Sequence, residues 1–152
     1  MIDKTEEQFL CVIKNFNFPA VNGNRYNLDA ECSRSAIQKF LQKKEVFGEL
    51  NHPNSLELNN EQFTKRIFEI DMENTVIHIS DLNYDDDKKE IIGLVKKVGN
   101  KFPDLFEKLQ SKEVAFGMRS LCHAYKPSED SPVIHDIVDI ITFDIINTNI
   151  PE

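Results

Sequence analysis

The run from Val133 to Ile146, Val-Ile-His-Asp-Ile-Val-Asp-Ile-Ile-Thr-Phe-Asp-Ile-Ile, narrows the fold more than any other stretch. β-Branched side chains are stiff at χ1 and pack well on a pleated surface, so a run this rich in Val, Ile and Thr belongs in a sheet. We read it as the last strand, carrying three carboxylates, Asp136, Asp139 and Asp144. A second strand lies just upstream. From Glu113 to Tyr125, alternation puts Gly117, Arg119, Leu121 and His123 on one face and Phe116, Met118, Ser120 and Cys122 on the other. The Pro-, Ser- and acid-rich stretch from Lys126 to Pro132 connects the two.

Earlier in the chain, Phe9 to Phe18 mixes Leu10, Val12 and Ile13 with aromatics and stops at Pro19, as an opening strand would. Val21 to Tyr26, with Gly23 between two asparagines, reads as a turn. From Asp29 to Lys44 the positions Cys32, Ala36, Ile37, Phe40 and Leu41 recur at helical spacing, with Asp29 as cap and Lys43 and Lys44 in the last turn. This helix leads into a turn-rich loop, Gly48 to Pro53, in which Pro53 restricts the backbone of His52. After a short segment at Leu56 to Leu58, Phe63 to Asp71 and Thr75 to Leu82 read as a hairpin around Glu73-Asn74, with His78 inside it. Asp85-Asp86-Asp87 reads as a helix start, followed by helical spacing at Ile91, Leu94, Val95 and Val98, and again from Phe102 to Leu109 around Pro103.

Composition bounds the function. A chain of 152 residues without a repeat or dividing linker is expected to form one domain over residues 1–152. A formal charge of -8, with no cluster of Lys and Arg, argues against nucleic acid as a partner. No apolar run reaches the length of a membrane span, and the opening Met-Ile-Asp-Lys-Thr-Glu-Glu lacks the layout of a signal peptide, so no membrane partner is expected and the protein should stay where it is made. Cys11, Cys32 and Cys122 are too widely spaced for a Cys-x-x-Cys pair, and His52, His78, His123 and His135 form no His-x-x-x-His pair. No metal or cofactor is assigned.

Several stretches match a known pattern in order: Asn22-Gly-Asn-Arg-Tyr26, Gly48-Glu-Leu-Asn-His-Pro53, Phe116-Gly-Met-Arg-Ser-Leu121 and Phe143-Asp-Ile-Ile-Asn147. In this order the chain resembles the prohead proteases of myovirus-type tailed phages over nearly its whole length. The resemblance implies an α+β fold, a β-barrel of mainly antiparallel strands surrounded by helices, like that of the herpesvirus protease. It also implies a serine protease that cleaves scaffold and capsid proteins during capsid maturation, working in the host cytoplasm within the prohead or virion. Such enzymes favour cleavage after Glu with Leu or Ile two residues before it, a pattern present at Ile150-Pro151-Glu152, while Ile67-Phe68-Glu69 and Leu105-Phe106-Glu107 show how readily so short a pattern arises by chance. Homo-oligomerisation is left open.

By matching position, His52 is the general base and Asp144 the group that orients it, with Asp139, Asp136 and His78 in reserve. The family serine falls on Gly117, which carries no hydroxyl. Two readings follow from that departure. In one, Ser120 is the nucleophile and Arg119 or nearby amides hold the oxyanion, with Cys122 as a substitute. In the other, the chain is a pseudo-protease that keeps the fold and His52 and serves as an assembly protein.

Overall fold

The stretches richest in β-branched and alternating residues become strands. The computed structural model describes residues 8–20, 23–53 and 59–148. In it β1 (Gln8–Asn15), β6 (Val114–Tyr125) and β7 (Ile134–Asn147) lie where the sequence puts them. Helix α1 (Glu31–Leu41) buries Ala36, Ile37 and Phe40 and packs against β7. The Phe40 and Phe143 rings meet edge to face at 5.6 Å.

Asp29 does not cap α1. Ala30 holds the cap position without a side-chain bond, and Asp29 instead offers its carbonyl to Arg34 at 2.6 Å. Lys43 lies beyond the helix. Its ammonium donates to the Ile140 and Ile141 carbonyls, each at 3.1 Å, where the pairing of β6 with β7 shifts register. A cation thereby supplies a donor to these carbonyls where the ladder is irregular.

The middle of the chain differs from expectation. The residues leading to His52 are not all loop, because Glu45–Glu49 form β3, paired antiparallel with β4 (Thr75–Asp85). Phe63 to Asp71 is not a strand. Asn59 and Gln62 form a reciprocal capping box that starts α2 (Asn60–Phe68), and a 3-10 turn (Met72–Asn74) follows. The hairpin partner of β4 is β5 (Glu90–Lys97), which contains the Ile91, Leu94 and Val95 expected to be helical. The acidic run makes the hairpin turn, with the Asp85 carboxylate accepting from the amides of Asp87 and Lys88 and Lys89 at φ 56°. Only the last expected helix remains, as α3 (Leu105–Gln110). The expected segment at Leu56 to Leu58 and the terminal Ile150-Pro151-Glu152 lie outside the described residues.

The strands form two sheets, ordered β1-β5-β4-β3 and β2-β7-β6, where β2 is Arg25–Tyr26. All pairs within them are antiparallel except β2 with β7. The architecture is therefore α+β with mainly antiparallel strands. β3 and β7 bring the sheets together through the Leu50–Ile145 bridge and the Thr142 hydroxyl, which donates to the Phe47 carbonyl at 2.6 Å. Gly48 makes this approach feasible, since a β-carbon there would collide with the Phe143 carbonyl oxygen and lie 2.7 Å from Ile77 Cγ1. The other edges, β1 and β6, come close without a ladder among the described residues, so the barrel is not closed there.

Candidate active site

The backbone after β3 carries His52 to the seam between the sheets. Leu50 N–H donates to Asn74 O at 3.0 Å, and Asn51 N–H donates to Ile145 O at 2.7 Å. Asn51 adopts φ 68°, a left-handed conformation that asparagine tolerates. The chain turns there and Pro53 follows, leaving the His52 side chain 23% exposed with its ring against β7.

The acceptor waiting for it is Asp144, fully buried on β7. Its carboxylate receives four donors: His52 Nδ1 at 2.7 Å and Arg119 Nε at 2.8 Å on Oδ2, Arg119 Nη2 at 2.7 Å and Glu49 N–H at 2.9 Å on Oδ1. A carboxylate accepts, so His52 Nδ1 is the donor in this bond, the tautomer that leaves Nε2 facing position 117. That is the tautomer a general base needs.

Arg119 joins Asp144 to a second fully buried carboxylate, Glu49. Beyond its two bonds to Asp144, the guanidinium donates to Glu49 Oε2 at 2.9 Å and, through Nη1, to the carbonyls of Ile67 at 3.2 Å and Glu69 at 2.9 Å. All five N–H groups of this side chain are committed within the protein. Glu49 also accepts from Arg66 at 2.5 and 3.0 Å, from Asn74 at 3.2 Å and from the Asp71 amide at 3.1 Å. Burial alone would raise the Glu49 pKa, but the bonds from Arg66, the Asp71 amide, Arg119 and Asn74 together bring it down to about 2.

Gly117 stands directly opposite Asp144 in the β6–β7 register. A β-carbon at position 117 would lie 2.8 Å from His52 Nε2 and 2.9 Å from Ile146 Cγ2, so the basic nitrogen is held over the glycine. Ser120 is placed differently. Where the ladder shifts between Arg119 and Ser120 the extra residue is Ile141 on β7, and β6 keeps its alternation. The Ser120 hydroxyl therefore faces away from Gly117 and Arg119, and its oxygen lies 3.4 Å from Cys122 Sγ. Burial pushes the Cys122 thiol pKa up, which makes it a poor nucleophile.

The reserve positions stay outside this cluster. His78 Nε2 lies 2.7 Å from Glu45 Oε2 and its ring is against Phe47; Asp136 accepts from the Tyr125 hydroxyl; Asp139 sits opposite Leu121. Glu49, Arg66 and Asn74 were not singled out from the sequence, although Glu49 lies only three residues before His52. Among the described residues no group of three or more His, Cys, Asp or Glu could hold a metal. No helix among them is long and apolar enough to cross a membrane.

A family model for peptidase family S80 matches residues 3–149. The chain belongs to the peptidase S80 family. The ordered motifs of this S80 chain resemble those of the phage prohead proteases. No curated protein matches it. Among solved structures it is similar to the capsid assembly protease of bacteriophage T4, with a TM-score of 0.59 at 12% identity, covering 91% of this chain and 80% of that one. At that identity the likeness speaks for a shared fold.

Proposed function

We propose that this S80 chain works inside the phage prohead on scaffold and capsid proteins, as a pseudo-protease that keeps the base of the reaction and lacks its nucleophile. One observation carries the reading: His52 Nε2 is held over Gly117. Serine attack on a peptide carbonyl needs a hydroxyl within about 2.6–3.2 Å of the basic nitrogen. Position 117 is where a side chain would meet that nitrogen, and glycine supplies no such atom. Ser120 shares its face of β6 with Cys122, so its attack would require the strand to turn over after Arg119. Arg119 has no N–H left for an oxyanion, because its work is to hold Asp144 and Glu49 together. What remains, among the described residues, is an imidazole oriented by Asp144 over a glycine.

The test is covalent labelling with a fluorophosphonate. The unmodified chain should take up no label, while Gly117→Ser should become labelled at residue 117 once the His52 ring and Ile146 shift by a few tenths of an ångström to admit the β-carbon. Labelling of the unmodified chain at Ser120, lost in Ser120→Ala and accompanied by cleavage of a peptide after Glu, would replace this reading with that of an active serine protease.

A further inference from the structure

The sheets meet along β3 and β7 and part along β1 and β6, the two remaining long edge strands. A groove of about 770 Å³ opens on that second side, between β1, the turn after it, α3 and the start of β6. Its walls include Phe9, Val12, Phe18, Phe106, Leu109 and Phe116. Three of these are far more exposed than core residues, Phe9 at 48%, Val12 at 46% and Phe18 at 67%, and the adjacent Leu10 is 71% exposed.

A free edge presents a row of unpaired N–H and C=O groups, and proteins ordinarily blunt it with charge, proline or a bulge. From Gln8 to Val12 the edge of β1 has neither a charge nor a proline, and the irregularity in its pairing begins only after Val12. Lys14 also lines this groove, with its ammonium 4.9 Å from the Tyr26 ring centre and 5.7 Å from that of Phe16. No carboxylate among the described residues forms an ion pair with it. Burial lowers its pKa to about 8, so it gives up solvent without gaining an anion. In a chain of net charge -8, a cation so placed complements a carboxylate supplied from outside.

We propose that this groove binds an extended segment of a partner protein, added as a strand to the edge of β1 that no strand among the described residues pairs with, with apolar side chains against Phe9, Val12 and Phe116 and a carboxylate on Lys14. Backbone bonds to the edge supply affinity, and the alternating side chains supply selection. The site lies on β1, α3 and the start of β6 and does not depend on whether His52 supports cleavage.

The probe is a fluorescein-labelled heptapeptide, Thr-Val-Glu-Val-Thr-Val-Thr, titrated with the full chain and followed by anisotropy. Saturable binding is expected, weakened at least tenfold by Lys14→Glu, by Lys in place of the peptide Glu, and by N-methylation of alternate peptide amides. The Lys peptide should bind Lys14→Glu better than it binds the unmodified chain, a charge exchange that misfolding could not produce. His52→Ala should bind as the unmodified chain does. Absence of saturable binding, equal binding by Lys14→Glu, or equal binding of the N-methylated peptide would overturn the proposal. So would dimerisation through this edge that Lys14→Glu abolishes, or binding that appears only when residues 149–152 are removed. The Gly117→Ser labelling result is independent of every one of these outcomes.

Discussion

The two places where the sheets approach each other are built on opposite principles. At the β3–β7 seam a glycine lets backbones touch, and two buried carboxylates are tied by Arg119 and Arg66 into one network. At the β1–β6 side no ladder forms among the described residues, and aromatic side chains face solvent around a groove. The first seam uses polar groups under full satisfaction, where losing any one strands the others. The second has little to lose when one side chain changes. The first seam holds an imidazole in one orientation, while at the second, among the described residues, the sheets are joined by no ladder.

Breaking the charged seam should have the largest effect. Arg119→Met removes the cation between Glu49 and Asp144 and leaves two buried carboxylates short of partners, so urea unfolding should show a loss of about 3–5 kcal/mol. Acid should act on the same seam more gradually. The folded pKa of Glu49 is depressed from 4.5 to about 2, so its contribution is present above the upper value and is lost as pH falls through the lower one. A shift of that size corresponds to about 3 kcal/mol, and Glu49→Gln should flatten the fall in stability between pH 4.5 and 2. The smallest effect belongs to the open side: Leu10→Lys, at a residue 71% exposed, should change stability by less than about 0.5 kcal/mol in the same unfolding assay. If Leu10→Lys destabilised the chain as much as Arg119→Met, the contrast between the seams would fail.

Legibility in the sequence followed how local each signal was. β6, β7 and α1 could be read because their patterns suit one environment each. α2 and β5 were exchanged because short apolar runs satisfy both periods, as Ile91, Leu94, Val95 and Val98 do. Corrective signals were present. Asn59-x-x-Gln62 is a capping box written in sequence, and Gly93 is costly inside a helix but lies against Ile79 in the sheet. His52 and Asp144 were reached through ordered motifs, and the structure brings them to 2.7 Å. Glu49 could not be reached that way, because a buried carboxylate makes sense only with Arg66, Asn74 and Arg119, which arrive from other elements.

The separation of 92 positions from His52 to Asp144 has a consequence in time. A chain synthesised from its N-terminus presents the histidine while the carboxylate that sets its tautomer has yet to be made. Until β7 is added, Glu49 and Asn51 also lack the Asp144 and Ile145 acceptors that hold their amides. Contacts between such distant positions close slowly, since the intervening loop must be ordered first. The imidazole can acquire this orientation only after β7 has been made, so a chain still short of β7 carries no imidazole oriented by Asp144.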